Sequence, residues 1–267
     1  MPRIAALITC HNRRQKTLAC LDSLFRILPE VEVYLTDDGC SDGTREAVWA
    51  HFPSVVVISG SGNLYWSRGM YTAWREAIKR DYDYYLWLND DLELYDNFYQ
   101  ELTTCCPGDD SIVTGLVEDF AHTRILYGGY DTQNRLVQAA STPQPVRRMN
   151  GNVVLVPRSV VRQIGIIDPR FQHDLGDVDY SLRAHEQGIA VWSTRMPVAA
   201  GYENLLCRER KAGVSLVQRF RVLNSPLGSP LSLNFYFRRK HFGLFHALAY
   251  DAKLILINLL PDSLYLR

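Results

Sequence analysis

IAALITCHNRRQKTLACLDSLFRILPEVEVYLTDDGCSDGT, residues 4–44, runs through an apolar stretch, a helical pattern, a second apolar stretch and an acidic turn. Ile4 to Thr9 is short and almost continuously apolar, as a strand buried on both faces must be. Leu18, Leu21, Leu24, Phe25 and Leu28 recur at helical spacing and predict a helix over Lys16 to Leu28. Val31 to Leu35 predicts the next strand, Arg45 to His51 a helix and Val55 to Ile58 a third strand. Two successive strand–helix–strand crossovers require a parallel sheet.

Working outward, a predicted helix from Ser67 to Arg80 leads into Tyr84 to Leu88, an apolar strand that stops at Asn89-Asp90-Asp91. In open α/β sheets the carboxyl ends of the strands border the ligand crevice, so this cluster and the turn after Leu35 should open onto one edge. Beyond Ser111 the expected strands are shorter: Ile112 to Gly115, Val153 to Val156 and Ala190 to Trp192. Helices are expected near Arg158 to Ile164 and Val178 to Gln187, and a Pro/Gln-rich loop near Thr142 to Val146. After Gly201 the chain turns basic and aromatic, with Arg208, Arg210, Lys211, Arg219, Arg221 and Arg238-Arg239-Lys240. The expected class is α/β, Rossmann-like, with a mixed, mainly parallel central sheet. Its domain would span 1–205, in halves of about 1–110 and 111–205, with a C-terminal helical extension over 206–267.

A chain of 267 residues has room for one large α/β domain with an appendage. Lys+Arg and Asp+Glu both total 29, so net charge gives no reason to expect a nucleic-acid partner. Cys10, Cys20, Cys40, Cys105, Cys106 and Cys207 have neither a CxxC spacing nor the density of a stapled secreted domain, and read as reduced thiols in a cytoplasmic protein. The opening MPRIAALITCHNRR resembles a first strand more than an export signal. The run from Phe242 to Leu260 is interrupted by His246, Asp251, Lys253 and Asn258, which fits a packed helix or an interfacial membrane helix but not a spanning one.

Adjacent carboxylates at a buried strand end repel one another unless they are solvated or bound to a cation. Hard divalent cations take oxygen ligands, and Mg²⁺ commonly uses one or two carboxylates together with substrate phosphates. Gly60-Ser61-Gly62 precedes a helix, but Tyr65 stands where the dinucleotide fingerprint needs its third glycine, so an NAD enzyme fits poorly. His173, Asp174 and Asp177 lack the paired histidines of a dedicated zinc site.

Together, ITCHNRRQKTLACLDSL, LTDDGCSDGT, GNLYWSRGMYTAWREA, LWLNDDL and MNGNVVLVPRSVVRQIGIIDPRFQHDLGDVDYSLRAHEQGIAVW resemble, over about residues 3–200, the family 2 glycosyltransferases of the A-type nucleotide-sugar transferase fold. Trp66 and Gly69 give it a particular similarity to bacterial rhamnosyltransferase-like members. The resemblance implies that Thr9, His11 and Asp38 contact the donor nucleoside, and that Arg68 lies near the nucleotide or its phosphates. Asp90 and Asp91 match the middle and last positions of the metal-binding DxD element, Asp90 on the nucleotide side and Asp91 as ligand of Mn²⁺ or Mg²⁺. Asn89 replaces the usual first aspartate, Gly176 replaces a usual glutamate, and PVAAGYENLLCRERKAG offers no histidine as a further ligand.

By the same resemblance Asp177 is the catalytic base, with Asp179 as its rival. The implied reaction is an inverting transfer from a nucleotide-diphosphate sugar, with dTDP-rhamnose the leading donor, to a saccharide or lipid-linked saccharide in bacterial surface polysaccharide assembly. The protein would then be cytoplasmic, or peripheral at the inner face of the plasma membrane through its C-terminal segment. The alternatives are a catalytically silent sugar-nucleotide-binding protein, which the three departures favour, and a metal-dependent nucleotidyltransferase. Retention of Asp38, Asp91 and Asp177 favours transfer over the first, and GDVDYSLRA favours it over the second.

Overall fold

The computed structural model describes residues 2–106, 110–204 and 209–265, so Cys207 and Arg208 lie outside the described residues. The chain begins with β1 (Ile4–Cys10), α1 (Arg14–Ile27), β2 (Glu32–Asp37), α2 (Thr44–His51), β3 (Val56–Ser59), α3 (Tyr65–Ala77) and β4 (Tyr84–Leu88). Each expected strand and helix is present here, displaced by at most three residues at an end. The next elements are β5 (Glu93–Leu94), α4 (Phe98–Thr104), β6 (Ile112–Asp119), β7 (Ile125–Tyr127), β8 (Gly129–Tyr130), β9 (Arg148–Met149) and β10 (Val153–Pro157). Then come α5 (Arg158–Ile164), α6 (Gly176–Glu186), β11 (Val191–Gly201), α7 (Leu216–Leu223), α8 (Leu231–Phe242), α9 (Leu244–Leu259) and α10 (Asp262–Tyr265).

Strand order in the main sheet is β3-β2-β1-β4-β10-β6-β11-β5, with β7 paired to β6, while β8 and β9 form a small ribbon. β1 pairs in parallel with both β2 and β4, as the two crossovers require. β10 runs antiparallel to β4 and β6, which makes the sheet mixed. Strand order reverses around β1, so the ends of β1, β2 and β4 at Cys10, Asp37 and Leu88 border a crevice, the usual ligand position in such sheets.

Successive β1 side chains serve two cores. Ile4, Ala6 and Ile8 pack with Leu21 and Leu24 of α1 and Phe98 of α4, whereas Ala5 and Leu7 pack with Met70 and Trp74 of α3 and Tyr180 of α6. A strand covered on both faces has no polar side, which is why its sequence does not alternate. Trp74, Trp87 and Tyr180 meet edge-on or tilted, with centroids 5.2–5.4 Å apart, and tie α3, β4 and α6 together directly beneath the crevice.

β11 continues well past Trp192, the expected strand end. Its register against β6 shifts around Pro197, and Ala199 and Ala200 pair with the unexpected β5. Arg195-Met196-Pro197 breaks the apolar pattern at that irregularity, as proline in a sheet does. The basic C-terminal run is divided, with Lys211, Arg221 and Arg239 exposed and four others engaged within the protein. Arg210 is buried against Asp262, which Arg219 also meets at 2.9 Å; Arg238 lies 3.5 Å over the Tyr250 ring, and Lys240 reaches Asp179 at 2.6 Å. Those four are therefore spent within the fold rather than on a ligand phosphate.

Candidate active site

A cleft of about 640 Å³ opens at the carboxyl edge of β1, β2 and β4, within the usual range for small-molecule sites. Thr9, His11, Asp38, Asp90, Asp91 and Asp177 all line it, and Arg68 does not. Arg68 faces the segment before α6, where its Nε donates to the Pro169 carbonyl at 3.1 Å. Arg68, expected near the nucleotide or its phosphates, thus sits on α3 with its guanidinium against another loop.

β2 delivers Asp38 to the cleft floor. Its Oδ1 accepts the Gly62 N–H at 2.7 Å and its Oδ2 those of Leu64 and Tyr65 at 2.9 and 3.0 Å, so this carboxylate organises the turn that starts α3. The Asp38 carbonyl accepts from His11 Nδ1 at 2.6 Å, which puts the imidazole proton on Nδ1 and joins the ends of β1 and β2. Asp38→Ala leaves three backbone donors without their acceptor, a cost of about 1–3 kcal/mol. We expect the affinities for a nucleoside diphosphate and for its sugar nucleotide to fall together, as calorimetry would show; a loss confined to the sugar nucleotide would move Asp38 to the sugar side.

β4 delivers the acidic pair. Asp90 is buried, accepts from Thr17 Oγ1 at 3.1 Å, and is pushed up to about 6 by burial, against the pull of Arg13. Asp91 is more exposed, and Arg13 Nη1 spans the two carboxylates at 3.1 and 2.9 Å. Arg13 was not singled out in the sequence, although it sits in the quoted loop four residues past Thr9. Asn89, in the first position of the triplet, accepts from Trp66 Nε1 at 2.8 Å and acts as a brace. The Trp66 ring lies where a Cβ at residue 151 would stand, 2.2 Å away, so Gly151 is required there.

Asp177 enters in the first turn of α6, after Leu175 in the left-handed region at φ 69°. A branched residue there is an outlier of the kind that clusters at functional sites. Asp177 Oδ2 accepts the Gly151 N–H at 2.9 Å and Oδ1 the Val178 N–H at 2.8 Å, which fixes the carboxylate in the cleft lining. Burial, with Asp174 nearby, pushes Asp177 up to about 6. His173 and Asp174, set aside as a zinc pair, also line the cleft.

Asp179 faces the other way. It is fully buried and receives Arg183 Nε at 2.9 Å, Lys240 Nζ at 2.6 Å and His241 Nε2 at 2.9 Å, clamping α8 onto α6. Burial would raise its pKa, but hydrogen bonds from His241 and Lys240 bring it below the ordinary value. A depressed folded pKa contributes stability that is present above the unfolded value and lost as pH falls through the folded one. Asp179→Asn should therefore cost about 1–3 kcal/mol in urea unfolding at pH 7, because the part-exposed Arg183 and Lys240 and the enclosed His241 ring lose their charged acceptor, with a smaller difference in acid.

Six carboxylates line the cleft, from Asp38, Asp90, Asp91, Asp174, Asp177 and Glu203, against the cations Arg13 and Lys16. Such a surface repels a diphosphate unless a further cation is present. Among the described residues no third His, Cys, Asp or Glu gathers with Asp90 and Asp91. Two hard oxygen donors, one more exposed and both already drawn to the Arg13 guanidinium, fit an ion that completes its shell with phosphate and water.

A reversing, mainly parallel sheet carries an acidic cleft at its carboxyl edge. Residues 5–124 match the family model described as "Glycosyl transferase family 2". The chain is similar to the crystal structure of GalNAc-T7 with UDP, GalNAc and Mn²⁺, at 14% identity and a TM-score of 0.61, covering 95% of this chain and 57% of that one. It thus spans little more than half of that protein. It is also similar to the mannosyltransferase PcManGT from Pyrobaculum calidifontis in complex with GDP-Man and Mn²⁺, at 16% identity and a TM-score of 0.57, covering 99% and 78% of the two chains. At these identities the likeness is one of fold. No curated protein matches the chain.

Proposed function

We propose that the protein is an inverting glycosyltransferase that moves a sugar from a nucleotide-diphosphate donor to an acceptor hydroxyl. The observation that carries this is the meeting, in one cleft, of a paired acidic strand end and a separate carboxylate, that of Asp177, which burial pushes up to about 6. Thr9, His11 and Asp38 would hold the nucleoside, and Asp90 would support Asp91 from the nucleotide side. A Mn²⁺ or Mg²⁺ ion held through Asp91 would offset charge on the departing diphosphate. Asp177, fixed by the Gly151 and Val178 amides, takes the acceptor proton as its oxygen attacks the anomeric carbon. The presence of UDP or GDP-Man and Mn²⁺ in the two fold neighbours supports this reading.

dTDP-rhamnose as donor and a bacterial surface saccharide as acceptor are the narrower form of the proposal, carried by the Trp66 and Gly69 resemblance. A thermal-shift panel of UDP-, dTDP- and GDP-sugars with Mn²⁺ tests it: stabilisation by dTDP-rhamnose above all others is expected, and preference for another nucleotide removes that donor. The domain division at about residue 205 is part of the same proposal, with α8 clamped onto α6 rather than loosely appended.

No helix among the described residues is long and apolar enough to cross a membrane. A lipid-linked acceptor would meet the protein at a bilayer surface, and α9 exposes Phe245, Leu248, Leu256 and Leu259. Because Arg238 and Lys240 are engaged internally, this contact would rest on the apolar face more than on charge. Cosedimentation with liposomes should fall markedly for Phe245→Asp; equal recovery of both proteins in the supernatant would dismiss the contact.

A further inference from the structure

Cys10 and Cys40 stand at the ends of the first two strands, on either side of the His11–Asp38 link, with their sulfurs 3.8 Å apart. Both thiols are reduced, and Cys10 lines the cleft. A disulfide needs a sulfur separation of about 2.05 Å, so less than 2 Å of approach divides contact from bond. Cys40 is only half-buried, and its sulfur accepts the Asn12 N–H at 3.2 Å. We propose that Cys10 and Cys40 form a reversible disulfide under peroxide and thereby shut down nucleotide binding in the adjoining cleft.

The chemistry has an attacking and a resolving sulfur. Cys40 shares a hydrogen bond with Cys10 and accepts one from the Asn12 amide, and these contacts hold its thiol below the ordinary value, whereas that of Cys10 is raised by the same contact and by burial. The Cys40 thiolate attacks a peroxide oxygen, the O–O bond breaks, and the departing hydroxide leaves as water once protonated. The Cys10 sulfur then attacks the resulting sulfenic acid, the S–O bond breaks, and the Cys10 proton goes out with the oxygen as a second water. Two thiols and one hydrogen peroxide thus give one disulfide and two waters.

A soft metal ion on the same sulfurs is the competing use, since Asp37 lies within 4.8 Å of both. Both oxygens of Asp37 are engaged, however: Oδ1 accepts the Cys40 N–H at 2.8 Å and Oδ2 the Arg45 guanidinium at 2.7 Å. Two sulfurs alone do not make the four-coordinate shell that zinc requires.

Consequences for the cleft follow from the packing of the turn. Drawing Cys40 toward Cys10 pulls it from Asn12, whose side-chain oxygen also holds the Ser41 N–H at 2.7 Å. Gly39, at φ +68°, lies so close to Gly62 that a Cβ would stand 2.8 Å from its Cα, so the turn cannot shift without moving the segment that Asp38 holds.

Trypsin leaves Cys10 on residues 4–13 and Cys40 on residues 27–45, so mass spectrometry reads the crosslink directly. Full-length protein treated with stoichiometric hydrogen peroxide, then alkylated, should yield that peptide pair and lose it after dithiothreitol. Affinity for whichever of UDP, dTDP or GDP binds the reduced protein best should fall at least fivefold on oxidation and recover on reduction, while Cys40→Ser should be indifferent to peroxide. Pairing among other cysteines, over-oxidation of Cys40 without a crosslink, zinc carried by the reduced protein at one per chain, or a crosslink without loss of affinity would each overturn the proposal. The affinity arm rests on the donor-site reading; if no nucleotide binds the reduced protein, that reading fails while the peptide map still decides the disulfide.

Discussion

Asp177→Asn should lower turnover by ~10²-fold or more while donor affinity changes little, because the substitution keeps the shape of the side chain and removes its ability to take a proton. One amide oxygen can still accept the Gly151 N–H, so the first turn of α6 stays in place. With Asp177 pushed up to about 6, kcat/KM of the parent should rise with pH through an acidic limb near that value, since the base acts only when ionised. Asp90 is pushed to about the same pH, so the limb is a property of both carboxylates, and comparison with the Asp177→Asn profile separates them.

Stability moves in the opposite sense. A carboxylate whose folded pKa is raised binds protons more tightly when folded, so it costs stability above the folded pKa and the cost disappears as pH falls below the unfolded value. A rise of about two units corresponds to at most ~3 kcal/mol at neutral pH. Asp177→Asn should therefore unfold no earlier than the parent at pH 7.5. Near-normal transfer by the folded variant would end its assignment as base. Asp179→Asn, which takes from Arg183 and Lys240 their shared charged acceptor, supplies the contrasting case, in which any loss of activity comes with a loss of stability.

Asp91→Ala should remove the dependence of donor binding on Mn²⁺. The parent is expected to gain ~10²-fold in donor affinity on adding the ion, a few kcal/mol of charge compensation, and the variant almost none. The fold should survive, since Asp91 lies on a strand-end loop and its ion pair is with the half-exposed Arg13, which keeps Asp90 as partner. Calorimetry with and without Mn²⁺ decides it, and equal metal-linked gains in both proteins would remove Asp91 from the ion.

The strand and helix order from β1 to β4 was legible because burial on both faces leaves continuous apolar runs, and long amphipathic helices between them keep a clear period. α4 was missed because FYQELTT is seven residues long and ends in β-branched threonines, and β11 was cut short because the polar Ser193-Thr194-Arg195 follows Trp192 and ends the apolar run. At the site, Thr9, His11, Asp38, Asp90, Asp91 and Asp177 share one cleft because the polar residues in each motif follow strand ends or open a helix. Arg68 does not share it, since sequence spacing places a residue on α3 without saying which flank of the helix it occupies. Arg13, Gly151 and the Asn89–Trp66 brace depend on contacts between segments far apart in the chain, which no local pattern encodes.

The central claim is transfer by direct displacement from a nucleotide-diphosphate sugar, and it can be tested without knowing the acceptor, because water can slowly take the acceptor's place. Proton NMR of the first sugar released from the preferred donor, in Mn²⁺ at pH 7.5, should show the anomer opposite to that of the donor, with release strongly reduced for Asp177→Asn. Release of the same anomer, or no cleavage of any UDP-, dTDP- or GDP-sugar, would contradict it.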